Sequence, residues 1–236
     1  MSSLILVCHQ LRSPDNLGAI ARVMANFDVQ NLVLSDPITH DFRGAERLAV
    51  GAEHLLQHVA IAQDLPEALN RCVYAVGTSS RSVKGVLSPE EAVERLHAHL
   101  RRGPVALVLG GEKRGLSDDE LACCHDAAAI PTSDRQPSMN VSHAAALFLF
   151  LFNRAKEKQA TVIPDAEEGA NGRTLKALEE KLHAALDSVG WSNRQAPQHG
   201  IRELLRSLVQ GRLTQREAQM WLSVMDHVRR MAQRAP

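Results

Sequence analysis

The sequence has few aromatic residues, no excess of charge and no long hydrophobic run. Aromatic side chains make up 3% of its 236 residues, so we do not expect a platform of stacked rings for single-stranded nucleic acid. Its 27 basic residues balance 27 acidic ones, which excludes a highly basic nucleic-acid coat protein. The longest apolar run, Ala144 to Phe152, is far below the roughly 20 residues that a membrane span needs. These absences predict a cytoplasmic protein without a membrane segment.

Cysteine is also scarce, and its spacing fits neither a disulfide framework nor a zinc site. The four cysteines are Cys8, Cys72, Cys123 and Cys124. No C-x-x-C pair occurs among them. His54 and His58 are spaced like helical metal ligands, but no H-E-x-x-H context or third ligand accompanies them. We therefore expect reduced thiols and no metal.

Short apolar strands alternate with helical segments along the first two thirds of the chain. Strands are predicted at Leu4–Cys8, Leu32–Leu34, Cys72–Val76, Val105–Leu109 and Ala127–Ile130. Helices are predicted at 16–27, at 67–70 behind an N-cap at Asp64, at 88–101 and at 140–158, with capping boxes that begin at Ser88 and Ser117. Such alternation is typical of an α/β fold, in which helices cover both faces of a parallel sheet.

A change of composition near residue 160 divides the chain. Residues 160–172 contain proline, glycine and several acidic side chains, as a linker does. Beyond them only helices are predicted, at about 173–189, 201–210 and 214–233. We expect a main domain over 1–159, a linker over 160–172 and an all-helical extension over 173–236. The segment after Gly190 holds 8 basic and 3 acidic residues, so the extension ends in a basic region.

Four loops that follow predicted strands carry residues suited to ligand binding. They cover residues 12–22, 77–81, 110–116 and 131–140, and ligands of parallel α/β sheets bind at this edge. In the first loop, Asn16 can cap a helix, Gly18 permits a close backbone approach and Arg22 can reach the same helix end. Taken singly, each loop also fits an ordinary turn. The G-x-x-x-x-G-K-[ST], G-x-G-x-x-G and G-x-S-x-G motifs are absent, which disfavours a P-loop, a Rossmann site and a hydrolase elbow.

Taken in order, the loops resemble the three motifs of the SpoU (TrmH-type) branch of the SPOUT RNA methyltransferases. N-L-G-A-I-A-R at 16–22 matches N-x-G-x-x-x-R, and G-G-E-K-R-G-L at 110–116 matches G-x-E-x-x-G-L. S-M-N-V-S-H-A at 138–144 is similar to S-L-N-V-S-x-A. G-T-S-S-R at 77–81 and the helical tail are similar to the TrmJ subgroup. The resemblance spans about residues 4–155.

The sequence departs from the family pattern at three places. Gly111 replaces a usual arginine, and Met139 replaces a usual leucine. After the third motif, Phe150, Leu151 and Phe152 stand where a Tyr-Glu pair is familiar. We therefore infer no RNA-contacting side chain at position 111.

The resemblance implies a fold, a cofactor and a reaction. The fold is a parallel-sheet SPOUT fold with a C-terminal trefoil knot, an exception to the rarity of knots. The reaction is methyl transfer from S-adenosyl-L-methionine to a ribose 2′-hydroxyl, in a homodimer whose active site is completed across the interface. TrmJ-like members act on the tRNA anticodon loop at nucleotide 32. The implied cofactor-binding residues are Thr78, Ser79, Ser80, Gly110, Ile130, Ser138, Met139 and Asn140.

The family places Arg22 at the 2′-hydroxyl, as a base or as an orienting group. Because a guanidinium normally stays protonated, we favour an orienting role for Arg22. The other implied catalytic residues, which fix the geometry, are Asn16, Glu112, Ser138 and Asn140.

Three alternatives stay open at this stage. A SpoU-type enzyme that modifies ribosomal RNA would share the chemistry, because substrate identity does not follow from fold. A non-catalytic RNA-binding assembly module would keep the fold without the reaction. The neutral charge also leaves open a methyltransferase with a substrate other than RNA.

Overall fold

The computed structural model describes residues 3–39, 41–80, 85–155, 169–191, 204, 208 and 213–233. Its strands are β1 Leu4–His9, β2 Asn31–Ser35, β3 Ala60–Ala62, β4 Tyr74–Thr78, β5 Val105–Leu109 and β6 Asp126–Ala128. They form one sheet in the order β3-β2-β1-β5-β4-β6, and every pair is parallel. The predicted α/β class is confirmed.

The helices belong to two groups. Those of the sheet domain are α1 Pro14–Asn26, α2 Glu53–Gln57, α3 Leu65–Ala68, α4 Pro89–Leu100, α5 Asp118–Leu121 and α6 Val141–Ala155. Within the described residues, the bounded helices of the extension are α7 Gly172–Ser188 and α8 Gln215–Ala232. No helix in the described parts of the chain is long and apolar enough to cross a bilayer.

The core lies on both faces of the two central strands, β1 and β5. Val105 to Leu109 are at most 1% exposed, as expected for a continuous apolar strand covered on both sides. Leu6 and Leu107 belong to a cluster with side chains of α1, α4 and α6. Val7 and Val108 belong to a second cluster with side chains of α3 and α5. Alternate residues of each central strand therefore supply the two cores.

Local signals locate the helix starts well. Capping boxes are present at Ser88 with Glu91 and at Ser117 with Glu120, as predicted, and a third is present at Thr214 with Glu217. The exposed edge strand β3 and the five-residue α2 are not predicted, because neither contains an apolar run or a helical period of useful length. Strand β4 begins two residues later than predicted, and β6 one residue earlier. Apart from residues 204 and 208, the predicted helix at 201–210 lies outside the described residues.

In the described part of the extension, α7 and α8 share a small core of their own. Leu178, Leu182 and Ala185 of α7 pack in one cluster with Ala218 and Met225 of α8. The predicted linker lies outside the described residues as far as 168. Its last residues, 169–172, are packed, with Gly169 bridged to Thr214 and Ala170 fully buried. The domain boundaries stay a prediction.

His125 joins the segment before α7 to the sheet, and its burial predicts a loss of stability in acid. Its Nδ1 accepts from the backbone N–H of Ala75 at 3.1 Å, and its Nε2 donates to the carbonyl of Ala170 at 3.2 Å. Burial lowers the pKa of His125 from 6.5 to about 4, because the charged ring would lose its hydration there, and the hydrogen bond to the Ala170 carbonyl opposes this shift without reversing it. The unfolded chain therefore takes up a proton at a higher pH than the folded chain. The stability that the neutral His125 contributes is therefore fully present above pH 6.5, and it is lost as the pH falls towards 4.

The measurement is urea unfolding at pH 7 and pH 5. We expect this group to contribute a loss of about 2 kcal/mol between the two pH values. The variant His125→Gln cannot titrate at this position. Between pH 7 and pH 5, its free energy of unfolding should therefore fall by about 2 kcal/mol less than that of the wild type. Equal losses in both proteins would contradict the assignment.

Candidate active site

A cavity of about 390 Å³ opens at the carboxyl ends of β4, β5 and β6. Its volume falls within the range of sites that hold small molecules. It is lined by all the residues predicted to bind the cofactor, which are Thr78, Ser79, Ser80, Gly110, Ile130, Ser138, Met139 and Asn140. Asn16 and Glu112 also line it, whereas Arg22 does not. The structure thus brings together residues that are more than 120 positions apart in the sequence.

Hydrogen bonds between the ends of adjacent parallel strands form one part of the cavity wall. The Thr78 hydroxyl donates to the carbonyl of Val108 at 3.1 Å, which joins the end of β4 to β5. The Ser79 N–H donates to the carbonyl of Ala128 at 2.8 Å, which continues the ladder towards β6. Buried apolar side chains, Leu109, Val141 and Phe148, form part of the wall. The cavity therefore combines an apolar wall with polar groups at strand ends, as ligand sites do.

Glu112 holds the first motif against the second. Its carboxylate accepts hydrogen bonds from the Ser13 N–H at 2.9 Å and from Asn16 Nδ2 at 3.0 Å. It also accepts from the Arg12 N–H at 3.1 Å. Partial burial raises the pKa of Glu112, but these hydrogen bonds outweigh the effect of burial and hold it below its usual value. The carboxylate therefore stays ionised and organises the loop that leads into α1.

Asn140 connects the third motif to the same assembly. Its Nδ2 donates to Asn16 Oδ1 at 3.1 Å, and its Oδ1 accepts from the backbone N–H of Ser142 at 2.8 Å. A continuous chain of hydrogen bonds thus runs from Glu112 through Asn16 to Asn140. Because each amide is held at both ends, its orientation is set before any ligand arrives.

Gly18 has a packing role, which agrees with the predicted close approach of the backbone. It lies on the buried side of α1, where an added Cβ would be 2.0 Å from the carbonyl oxygen of Ala45. Ala45 begins a short 3-10 turn over Ala45–Arg47 that packs on α1. The glycine of the first motif therefore lets this turn contact the helix.

Arg22 lies outside the cavity lining. Its side chain is exposed on α1, and it makes no hydrogen bond or ion pair with any residue that the structure describes. The other predicted catalytic residues line one cavity, so Arg22 differs from them in position. Its catalytic role stays a prediction.

A group of residues at the rim of the cavity was not predicted from the sequence. The rim cluster consists of His9, Gln10, Arg114 and Glu120, of which Arg114 lines the cavity. Glu120 is visible in the sequence only as the last residue of a capping box. The basic character of Arg114 could have been noticed inside the glycine-rich loop, but one of its two partners, Gln10, lies 104 residues away in the sequence.

Comparisons with known proteins agree with the fold and with the motifs. Residues 3–150 match the model of the SpoU rRNA Methylase family. The chain is 34% identical over 157 residues to the tRNA (cytidine/uridine-2′-O-)-methyltransferase TrmJ of Yersinia enterocolitica, covering 65% of this chain and 61% of that protein. It is 27% identical over 228 residues to the protein of the same name from Photorhabdus laumondii, covering 93% of both. The crystal structure of TrmJ from Z. mobilis ZM4 superposes with a TM-score of 0.83 at 23% identity, over 95% of this chain and 98% of that one.

Proposed function

This chain belongs to the SpoU rRNA methylase family, and from that premise we propose that it methylates the ribose 2′-hydroxyl of a tRNA nucleotide. The observation that carries the proposal is the hydrogen-bonded chain Glu112–Asn16–Asn140, which unites all three motifs at one cavity. Relatives named as tRNA 2′-O-methyltransferases support tRNA over ribosomal RNA as the substrate.

The methyl donor we propose is S-adenosyl-L-methionine. The cavity is of suitable size, and its wall offers both apolar surface and polar groups at strand ends. Thr78, Ser79, Ser80, Gly110, Ile130, Ser138, Met139 and Asn140 would hold it. The donor supplies an activated methyl group, so the protein must align the 2′-oxygen and manage one proton. We also propose the trefoil knot of the family as the architecture of this site.

Arg22 would act on the 2′-hydroxyl from across a homodimer interface. This placement accounts for its exposed position on α1, away from the cavity of its own chain. The guanidinium would orient the hydroxyl and the adjacent phosphate. Asn16, Glu112, Ser138 and Asn140 would keep the cavity in its reactive shape. We place the target in the anticodon loop, at nucleotide 32.

The decisive experiment maps the product. Separate incubations of total tRNA and of ribosomal RNA with methyl-labelled donor, followed by nuclease digestion, should yield one 2′-O-methylated nucleotide, at position 32 of tRNA. Labelled ribosomal RNA with unlabelled tRNA would instead favour the ribosomal substrate. Failure to bind the donor in titration calorimetry would favour the non-catalytic module.

The basic end of the extension predicts a second contact with tRNA. Arg229 and Arg230 are exposed in the last turn of α8. Replacing both with glutamine should weaken tRNA binding about fivefold to tenfold and reduce the slope of log affinity against log salt by about two, because two phosphate contacts are lost. Donor affinity should not change. The measurement is filter binding at several salt concentrations.

A matched double variant controls for net charge. Arg71 and Arg101 are exposed and precede β4 and β5, at the amino edge of the sheet opposite the cavity. Their replacement by glutamine removes the same charge and should change tRNA affinity less than twofold. Equal effects of the two double variants would argue against a specific contact with α8.

A further inference from the structure

Arg114 is the one member of the rim cluster that lines the cavity, and its side chain is held from two directions. Its Nη2 donates to Glu120 Oε1 at 2.5 Å and to Gln10 Oε1 at 2.8 Å, and its Nη1 donates to Glu120 Oε2 at 3.2 Å. The side chain is nevertheless 51% exposed. Of its five N–H donors, Nε–H and one Nη1–H have no acceptor among the described residues. The guanidinium of Arg114 is thus held in place and still has N–H donors available for a ligand.

Glu120 is itself fixed by a buried histidine. Its carboxylate lies 3.0 Å from Nε2 of His9, whose Nδ1 lies 3.1 Å from the hydroxyl of Ser35. Because an ionised carboxylate only accepts hydrogen bonds, His9 Nε2 carries a proton and donates it to this contact. Partial burial raises the pKa of Glu120, but hydrogen bonds from the Ser117 N–H, Arg114 and His9 hold it below its usual value. Arg114 is therefore anchored to the sheet itself.

The same cluster excludes a side chain from position 111. A Cβ on Gly111 would lie 2.6 Å from the carbonyl oxygen of Gln10. The family pattern has an arginine at this position, and here the backbone of Gln10 closes it. The side chain of Gln10 meanwhile holds Arg114 three residues later. Gln10 thus leaves no room for a cationic side chain at position 111 and holds the cationic side chain of Arg114.

We propose that Arg114 is a specificity-determining residue that binds an anionic oxygen of a substrate at the rim of the cavity. This proposal rests on the proposed function, which brings two such groups to the site. One is the carboxylate of the methyl donor, and the other is a phosphodiester of the RNA. A guanidinium held in advance loses little side-chain entropy on binding, and a charge-assisted hydrogen bond to either group is strong. Glu120 is the positioning residue for Arg114.

The test measures binding of each substrate separately, in the full-length protein. Arg114→Gln keeps a polar side chain without the charge, and Arg114→Lys keeps the charge without the fork. Arg71→Gln removes one exposed cation at the opposite edge of the sheet and serves as the matched control. Titration calorimetry reports the affinity for S-adenosyl-L-methionine and for its decarboxylated analogue. Filter binding at several salt concentrations reports the affinity for tRNA.

A phosphodiester contact and a carboxylate contact give different results. If Arg114 binds the phosphodiester, Arg114→Gln weakens tRNA binding about tenfold and lowers the salt slope by about one, with donor affinity unchanged. If it binds the carboxylate, Arg114→Gln weakens donor binding about tenfold and leaves the decarboxylated analogue unaffected. Either result supports the proposal. In the assay that shows an effect, Arg114→Lys should lose less affinity than Arg114→Gln.

The role of Glu120 is tested by non-additivity. As a single change, Glu120→Gln should weaken binding of the same substrate that Arg114→Gln affects. In the Arg114→Gln background it should weaken that binding by less than a further twofold, because its effect passes through Arg114. If Arg114→Gln matches Arg71→Gln in both assays while the wild type binds both substrates, only the assignment of Arg114 is overturned. If the wild type binds neither substrate, the proposed function fails and this proposal fails with it.

Discussion

Replacing Arg22 with alanine is expected to slow methyl transfer to tRNA by about a thousandfold while donor affinity changes less than twofold. Orientation of the attacking oxygen, the role proposed for Arg22, supplies factors of this size. Donor affinity should survive because Arg22 does not line the cavity. The measurement is single-turnover methylation of tRNA, paired with titration calorimetry. Turnover near the wild-type rate would remove Arg22 from the mechanism.

A lysine at this position separates orientation from charge. Arg22→Lys keeps the positive charge but loses the planar fork that can contact a hydroxyl and a phosphate together. We expect a partial recovery over the alanine variant, which remains well below the wild type. A pH profile without a new ionisation in the neutral range would support orientation over proton abstraction.

Replacing Glu112 with glutamine is expected to slow methyl transfer by about a hundredfold and to weaken donor binding as well. The carboxylate accepts hydrogen bonds from Arg12, Ser13 and Asn16. An amide at this position would turn one acceptor into a donor that faces other donors, which leaves N–H groups without partners. The loop into α1 and the amide of Asn16 would then shift, and misplacement by about 1 Å can lower a rate by about this factor.

Glu67→Gln is the matched control for this variant. Glu67 also accepts a backbone hydrogen bond, from the Gln63 N–H at 2.6 Å, but it is not among the residues that line the cavity. Its replacement should change turnover less than twofold. If Glu112→Gln behaves like Glu67→Gln in single-turnover and calorimetric assays, the Glu112–Asn16–Asn140 chain has no role in the reaction.

The two inactive variants together test the proposed dimer. In a mixed dimer of Arg22→Ala and Glu112→Gln chains, one cavity has an intact Glu112 and faces the intact Arg22 of the partner. Equal mixing should therefore restore about a quarter of wild-type turnover, since half of the dimers are mixed and each has one complete site. No recovery would mean that Arg22 serves the cavity of its own chain.

Much of the fold could be predicted because its signals are local. The apolar run at Val105–Leu109 and the capping boxes at Ser88 and Ser117 have the predicted bounds within a residue or so. Strand β3 could not be predicted, since it is an edge strand of three residues that, in the described part of the chain, pairs with β2 alone. Its existence depends on the neighbouring strand rather than on its own residues.

By itself, the sequence determined the alternation of strands and helices and the three motifs with their order, because periodicity, capping and residue type are properties of short segments. The tertiary structure decided which of the motif residues meet. It brings Asn16, Glu112 and Asn140 into one hydrogen-bonded chain, and it leaves Arg22 outside the cavity. It also assembled the rim cluster around Arg114 from segments about 100 residues apart. Such contacts depend on strand order and register, which no short segment of this sequence encodes.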